Sequence, residues 1–394
     1  MFAVLSPARK VLRRVAGIAS VAVLTACAPI GLSDLGSSGG GPSINPNAPV
    51  QVALLVPKSD PGAASVARSL ENAARLAIAD LGGVNIDLRV YDTAGQADTA
   101  AAQAQRAVDE GAKIILGPLF QNAANAAGVA VADEGINVLS FSNNTAIAGG
   151  NVFVLGSTFD NTATRLLSYA RSQGKGDVAV LYTDNVPGQV ARNAITTAAA
   201  RTGATVVGAE AYALNTESLT AAVGRVKGLV DSGAAQSIFL TDDWDGGLSV
   251  VLQLAPEQGI SPASTQYIGL TRWDIRSDGF HLPGINGSYF AMPDTSMAQN
   301  FSARYAQAYG SQPHNLGGLA FDGIAAIGAL VKAGRKDALT AKALTQSAGF
   351  QGTGGVFRLL ADGTNQRALA VATVRNNQVV ILDPAPRSFG GAGF

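Results

Sequence analysis

The chain has 394 residues, of which 28 are basic, 28 are acidic and 47% are hydrophobic. This much apolar character with so little charge excludes a disordered chain, and the balanced charge argues against a nucleic-acid-binding protein. One cysteine and two histidines exclude a disulfide framework and leave little room for a metal site, so we expect no cofactor. The length predicts two domains, because single cores seldom grow beyond about 250–300 residues.

Residues 1–26 have the pattern of a lipoprotein signal peptide. A basic stretch precedes an apolar run from Val15 to Leu24, which is shorter than the roughly 20 residues that span a bilayer. The sequence LTAC at 24–27 resembles the bacterial lipobox, which makes Cys27 the candidate for lipidation. The residue after it is Ala rather than Asp, which favours the outer membrane. We therefore expect a lipid-anchored protein on the periplasmic side of a Gram-negative envelope.

Residues 27–49 are predicted to form a flexible tether rich in glycine, serine and proline, with a reach on the order of 25 Å. Once the signal is removed, 24 basic and 28 acidic residues remain. A G-x-S-x-G match at 36–40 lies in this tether and lacks the preceding strand and following helix that an esterase nucleophile needs. The body of the protein is therefore predicted to be mildly acidic and to begin near residue 50.

The body alternates apolar strands with amphipathic helices. In its first half, strands are predicted at 52–56, 86–91, 113–116 and 137–140, with helices at about 66–81, 98–110 and 122–134. The alternation then resumes, with strands at 177–182, 204–212, 237–241 and 266–270 and helices at 186–202, 216–232 and 246–258. A strand at 285–292 is predicted to return to the first lobe, followed by helices at 297–309 and 316–334. Antiparallel strands at 355–359, 368–375 and 378–382 end the chain, with Asn376-Asn377 as a hairpin turn.

This alternation predicts an α/β protein with two Rossmann-like lobes, each built on a parallel sheet, and a cleft between them. We assign residues 50–157 and 287–334 to lobe one, and residues 158–286 and 335–385 to lobe two. Open parallel sheets bind ligands beyond the carboxyl ends of their strands, so the cleft is the expected binding site.

Five segments spread over residues 50–382 resemble type I periplasmic binding proteins of the leucine/isoleucine/valine-binding kind. They are ENAARLAIADLGGVNIDLRVYD at 71–92, KIILGPL at 113–119, NVLSFSNN at 137–144, AFDGIAAIGALVKAG at 320–334 and FQGTGGVFRLLADG at 350–363. The resemblance implies the type I periplasmic-binding-protein fold and a leucine-binding-protein-like domain over residues 50–385.

One function that the resemblance implies is that of a substrate-binding protein of an ABC importer for branched-chain or other amino acids. Such receptors hold the ligand's α-carboxylate in loops that match 118–122 and 140–145, and their second lobe supplies an acidic or aromatic group for the ammonium. The run LFQNA at 119–123 departs from them, because receptors usually place serines after Gly-Pro. This alternative implies an ABC permease and a small amino-acid-like ligand as partners.

The chain resembles the penicillin-binding protein activators more closely, which are outer-membrane lipoproteins with the same fold. The shared features are GPL at 117–119, the asparagine-rich turn after residue 140 and, more weakly, GLTRWD at 269–274. Known activators also carry a large helical N-terminal domain, and here only a tether precedes the binding fold. We therefore favour a non-enzymatic regulator of peptidoglycan synthesis whose partner is a penicillin-binding protein, that is, a peptidoglycan synthase.

The candidate ligand-binding residues all follow predicted strands. They are Ser59, Asp60, Phe120, Gln121, Asn122, Ser142, Asn143, Asn144, Asp242, Trp244, Arg272 and Trp273. Most also have an ordinary structural explanation: the serines and asparagines suit turns and helix caps, Asp242 suits a cap, Arg272 can form a salt bridge with Asp274, and Trp273 suits a core. No P-loop or H-E-x-x-H motif is present, so we expect no catalytic and no metal-binding residues.

Overall fold

In the computed structural model, which describes residues 41–389, the first lobe is built on a five-stranded parallel sheet. Its strands are β1 (Val50–Val56), β2 (Ile86–Asp92), β3 (Ile114–Leu116), β4 (Val138–Ser140) and β5 (Val152–Val154), in the order β2-β1-β3-β4-β5. The connecting helices are α1 (Ala64–Asp80), α2 (Ala97–Asp109) and α3 (Gln121–Ala130). Strand β1 is buried along its whole length, as expected of a parallel strand covered on both faces.

The second lobe is built on a seven-stranded mixed sheet. Its parallel part and helices, in chain order, are α4 (Phe159–Ser172), β6 (Asp177–Thr183), α5 (Val186–Thr202), β7 (Thr205–Tyr212), α6 (Thr216–Asp231), β8 (Ser237–Leu240), α7 (Leu248–Glu257), β9 (Gln266–Gly269) and β10 (Tyr289–Met292). The chain leaves this sheet after β10 and returns for two antiparallel strands at its edge. With elements numbered along the chain, these two strands are β14 (Ala370–Arg375) and β15 (Gln378–Asp383). The full strand order of the sheet is β15-β14-β10-β9-β8-β6-β7.

The excursion between these strands packs against lobe one. It comprises α8 (Thr295–Tyr309), α9 (Gly317–Lys332), α10 (Ala341–Leu344), β11 (Phe350–Gly352), β12 (Gly355–Leu359) and β13 (Asn365–Arg367). Strands β11, β12 and β13 form a small antiparallel sheet of their own. Leu344, Phe350 and Phe357 lie in the same apolar cluster as β1 and α1. The architecture confirms the prediction of an α/β fold with two lobes and parallel sheets.

Three boundaries differ from those we predicted. Residues 289–292, which we assigned to lobe one, pair with β9 and β14 in the sheet of lobe two. Residues 335–367, which we assigned to lobe two, pack on lobe one because Leu339 and Phe357 fill its core. The tether is also shorter than predicted: Ile44 is buried in lobe one, and its N–H donates to the carbonyl of Lys336 (2.9 Å).

Hydrogen bonds connect two of the segments that cross between the lobes. The Asn365 side chain donates to the carbonyls of Val154 (2.7 Å) and Gly156 (2.9 Å), and the Arg367 guanidinium donates to the carbonyl of Leu155. Strand β13 is therefore fastened to the segment that leaves β5. Within residues 41–389, no helix combines the length and the apolar character needed to cross a bilayer.

Candidate functional site

A cavity of about 710 Å³ opens where the two lobes face each other. Lobe one contributes the loops that follow β3, β4 and β5, together with the starts of α1 and α9. Lobe two contributes Arg272, which follows β9, and Pro293, which follows β10. The cavity therefore lies beyond the carboxyl ends of parallel strands, where open α/β sheets bind their ligands, and its volume is in the range of small-molecule sites.

The loop after β3 is held close to the sheet by Gly117, which has φ +92°. A Cβ on this residue would lie 2.2 Å from the carbonyl oxygen of Leu55, so only glycine fits. The chain then passes through Pro118 and places Leu119, Phe120 and Gln121 on the cavity wall. Phe120 is 39% exposed, which leaves an apolar ring available at the site.

The loop after β4 is ordered by its own hydrogen bonds. The Ser142 N–H donates to the Ser140 hydroxyl (3.1 Å), and the Ser142 hydroxyl accepts from the Asn144 N–H (3.1 Å). Within residues 41–389 the Ser142 hydroxyl donates to no group, and the Asn143 side chain makes no hydrogen bond. Both residues line the cavity, so this loop presents a hydroxyl and an amide that are free to meet a ligand.

Three helices begin at the cavity without a side-chain cap: α1, α3 and α9. At α3, the backbone N–H groups of residues 121–123 have no acceptor in the described chain. At α1 and α9 the leading N–H groups are already bonded, to Asp60 and His314, so α3 is the start whose partial positive charge and free amide donors suit an anion. The electrostatic character of the lobe-one wall is therefore favourable to a carboxylate.

The formal charges at the cavity are paired with each other. Arg367 and Asp322 form an ion pair (Nη1–Oδ2, 2.7 Å) whose side chains are 10% and 1% exposed. The guanidinium of Arg272 donates to both oxygens of Asp274 (2.6 Å from Nε to Oδ1) and is more open to water. Each pair is neutral, so the side chains add no net charge to the wall.

The structure brings five of the predicted residues to this cavity, namely Phe120, Gln121, Ser142, Asn143 and Arg272. Asn144 lines an adjacent cavity of about 530 Å³ between the loop after β4 and α5, and its side chain donates to Gln121. Asn122 is exposed on α3 and is not part of either wall. Its backbone N–H nevertheless lies in the first turn of α3, beside the cavity.

Ser59 and Asp60 lie just outside the cavity. The Ser59 N–H donates to Asp92 (3.2 Å), and Oδ1 of Asp60 accepts from the N–H groups of Gly62 (2.8 Å) and Ala63 (3.2 Å). Gly62 and Ala63 do line the cavity, so Asp60 shapes the turn that reaches it.

The remaining predicted residues of lobe two are directed into its interior. The Asp242 carboxylate accepts hydrogen bonds from the hydroxyls of Thr183 and Tyr212 (2.6 Å for Tyr212). Trp244 is 7% exposed in the core, and Trp273 is completely buried, where it stacks on Phe290. The structure therefore does not bring these three side chains to the cavity between the lobes.

Sequence reasoning missed several residues at the site, above all Asp322, Arg367 and Thr353. Asp322 lies in the segment 320–334 and Thr353 in the segment 350–363, both of which carried the family resemblance. These segments were interpreted as fold-determining only, although a buried aspartate on an apolar helix needs a charged partner. The need of Asp322 for a charged partner was the signal by which sequence reasoning could have found this pair.

Asp160 lines the adjacent cavity and faces Arg201 there. Burial raises the pKa of its carboxyl above the usual value, Arg201 opposes this increase, and Asp362 adds to it. Residues 41–389 contain no group of three or more His, Cys, Asp and Glu side chains that are placed to hold a metal ion.

Residues 49–378 match the protein family described as periplasmic binding protein. This chain belongs to that family. The match covers both lobes and all the loops that line the cavity, so the site described above lies within the family's domain. The family is one of binding proteins.

Solved structures with the same fold include proteins of branched-chain amino acid transport. One, from Rhodospirillum rubrum, is provisionally assigned to a branched-chain amino acid ABC transporter; it is 20% identical, with 85% of this chain and 100% of that chain covered and a TM-score of 0.73. Another is the substrate-binding protein of a branched-chain amino acid transporter from Streptococcus pneumoniae in complex with isoleucine. It is 16% identical, the match covers 86% of this chain and 100% of that chain, and the TM-score is 0.57. At these identities the likeness shows the fold alone.

A curated relative from Rickettsia prowazekii (strain Madrid E) is an uncharacterised protein. It is 25% identical over 204 residues, which are 49% of this chain and 53% of the relative. The chain thus spans about half the length of the curated relative that it matches.

Proposed function

We propose that this chain is the solute-binding protein of an ABC importer and that it holds a small organic solute by a carboxylate group. The observation that carries the proposal is the cavity between the lobes, whose lobe-one wall combines the uncapped start of α3 with the Ser142 hydroxyl. The resemblance to amino-acid receptors implies that the α-carboxylate of a ligand would be held in this part of the fold. The proposal reverses our first preference, because several of the solved structures that resemble this chain are proteins of branched-chain amino acid transport.

The mechanism of binding follows from the donors available. A carboxylate at the start of α3 accepts from the free N–H groups of residues 121–123 and from the Ser142 hydroxyl, and such charge-assisted hydrogen bonds are roughly twice as strong as neutral ones. Phe120 and Leu119 then contact the apolar part of the ligand. Arg272 and Pro293 belong to the other lobe, so a ligand that contacts them as well favours a closed arrangement of the two lobes.

The proposal is tested by thermal unfolding of protein freed of endogenous ligand, with amino acids and simple carboxylic acids added one at a time. A ligand present at about 100 times its Kd stabilises the folded state by about 2.7 kcal/mol, which raises the midpoint by several degrees. Replacing Ser142 by alanine should reduce that increase. If no carboxylate raises the midpoint, the proposal is wrong.

The proposed location is the periplasmic face of the envelope, with a lipid anchor at Cys27. The family supports the periplasm; the anchor and the outer membrane rest on the sequence, because the predicted signal, Cys27 and most of the predicted tether lie outside the described residues. Labelling with radioactive palmitate in the native host tests the anchor. We expect label in the wild type and none in Cys27→Ala, and an unlabelled wild type would contradict it.

A second candidate function is the activator-like regulation of a penicillin-binding protein. The sequence features that favour it are GPL at 117–119 and the asparagine-rich turn after residue 140. The ion pairs of the cavity, Arg367 with Asp322 and Arg272 with Asp274, weigh against an amino-acid receptor, because they leave no free carboxylate on the wall for an ammonium. A pull-down from solubilised membranes, probed for penicillin-binding proteins, separates the two functions. Recovery of a peptidoglycan synthase, together with no effect of any solute on the unfolding midpoint, would favour this candidate.

A further inference from the structure

We infer that the solute is a carboxylic acid without an ammonium group, so that the chain discriminates against free amino acids. This inference rests on the proposed function, because it concerns the ligand of the same cavity. Its basis is the set of charges that the cavity presents and the partners those charges already have.

Among the described residues that line the cavity, Asp322 is the only acidic one. Its Oδ2 atom accepts from Arg367 (2.7 Å), and its Oδ1 atom accepts from the Thr353 N–H (2.6 Å). The side chain is 1% exposed. Asp322 is therefore shielded and already neutralised, and an ammonium that approached it would have to displace a buried guanidinium.

The acids of lobe two offer no substitute. Asp242, one of the candidate ligand-binding residues, is engaged by Thr183 and Tyr212 and is not part of the wall. Asp274 lies beside the wall, but both of its oxygens accept from Arg272. Asp160 lines only the adjacent cavities, where Arg201 faces it.

The cavity suits an anion with an apolar tail. An ammonium placed here would lose its water without gaining a free carboxylate of the wall as its partner. A carboxylate instead meets free amide donors at α3, and the apolar part of the ligand meets Phe120, Phe141 and Leu319. The wall thus complements one charged end and one uncharged end.

The test compares each amino acid with the acid that lacks only its amino group, by isothermal titration calorimetry at neutral pH on ligand-free protein. The pairs are leucine with 4-methylpentanoate, valine with 3-methylbutanoate, and phenylalanine with 3-phenylpropanoate. We expect the acid of the best-binding pair to have a Kd at least about 10-fold lower, which corresponds to about 1.4 kcal/mol.

A gain-of-function variant sharpens the test. Asn143→Asp places a carboxylate on the cavity wall at an exposed residue whose side chain makes no hydrogen bond in the described chain, so folding should be unaffected. We expect it to shift the preference toward the amino acid by about 10-fold or more. The matched control is Asn125→Asp, which adds the same charge at an exposed residue of α3, beyond the three N–H groups proposed to bind the carboxylate and outside the wall, and should leave the preference nearly unchanged.

The outcomes separate this inference from the proposed function. Tighter binding of the acids, reversed or reduced by Asn143→Asp alone, supports it. Equal or tighter binding of the amino acids overturns the inference and leaves the proposed function standing. If no member of any pair binds and no carboxylate raises the unfolding midpoint, the proposed function fails, and the inference fails with it.

Discussion

Arg367 on β13 and Asp322 on α9 form a buried ion pair at the base of the cavity, 45 residues apart in the sequence and 2.7 Å apart in space. The same guanidinium donates to the carbonyl of Leu155, where the chain leaves lobe one, and lies over the ring of Phe357. One arginine therefore joins a helix, a strand and a crossing segment. The pair positions the side chains at the base of the cavity. Because its two charges neutralise each other and are buried, neither is available to bind a charged group of a ligand.

Replacing Arg367 by methionine should strongly destabilise the protein. The change leaves the Asp322 carboxylate buried without its charged partner, and breaking a buried pair from one side typically costs about 3–5 kcal/mol. Urea unfolding measures the loss. The matched control is Arg335→Met, since Arg335 and Asp337 form an exposed pair whose loss should change the stability little.

The double variant Asp322→Asn with Arg367→Met should recover part of the stability, because no buried charge is left unpaired. The double variant should therefore lose less stability than the sum of the losses of the two single variants. A loss for Arg367→Met no larger than for Arg335→Met would contradict the importance we give to this pair.

Tyr212→Phe should destabilise lobe two without changing ligand affinity. The Tyr212 hydroxyl donates to Asp242 (2.6 Å) inside the lobe, and a hydrogen bond to a charged group is worth about 1.5–3 kcal/mol. Burial and the neighbouring carboxylate raise the pKa of this phenol, so it remains a donor at ordinary pH. Tyr267→Phe is the control, since that hydroxyl bonds a neutral carbonyl, Ile260 (2.7 Å), and should cost about 1 kcal/mol. Weaker ligand binding by Tyr212→Phe would instead support the role in binding that the sequence suggested for Asp242.

Much of the fold could be predicted from periodicity and turn residues, and the failures have physical causes. The hairpin at Asn376-Asn377 has positive φ at both residues, as its sequence predicts. Helix α4 was missed because Arg165 lies on its buried face and interrupts the apolar stripe. That arginine bonds the carbonyl of Leu369 and the side chain of Asp383, partners that lie about 200 residues away and that no local pattern reveals.

The site could be predicted only where one rule sufficed. Residues directly after lobe-one strands, such as Phe120 and Ser142, reach the cavity because parallel strands end at a common edge. Trp273 follows a strand too, but it turns into the core while its neighbour Arg272 faces the cavity. Which of two adjacent side chains faces a ligand depends on the packing of the whole lobe. Asp322 and Arg367 meet only because α9 and β13, which lie in the excursion that packs on lobe one, come together in the folded chain.

Asp294→Ala should reduce stability by about 1 kcal/mol at neutral pH. Asp294 caps α8, and its Oδ1 accepts from the Met297 N–H (3.0 Å) and the Ser296 hydroxyl (2.6 Å). These bonds hold the pKa of the carboxyl below its usual value, so the stabilisation is present above that value and is lost as the pH falls through the lowered pKa. The difference between wild type and variant should therefore shrink in acid. Asp294→Asn retains the cap and should cost only a few tenths of that amount; an equal loss would mean that the cap contributes little.

Asp160→Asn should change the stability in the opposite direction, that is, it should stabilise the folded protein. Because burial raises the pKa of this carboxyl, its protonated form is favoured in the folded protein, and ionisation destabilises the fold as the pH rises above the unfolded-state value. The amide removes that penalty, so the variant should unfold at a higher temperature than wild type near neutral pH, by on the order of 1–2 °C, and the gain should vanish below about pH 4.

The control for this change is Asp133→Asn, which alters an exposed carboxylate and should leave the midpoint nearly unchanged at both pH values. Asp160 also lies in the first turn of α4, where the helix dipole favours a negative charge and opposes the effect of burial. A lower midpoint for Asp160→Asn at neutral pH would mean that the dipole, together with the attraction of Arg201, outweighs burial. In that case the carboxylate beside the adjacent cavity would be ionised at little cost and available to a cationic group, which would place any ammonium-binding ability of this protein there rather than beside Asp322.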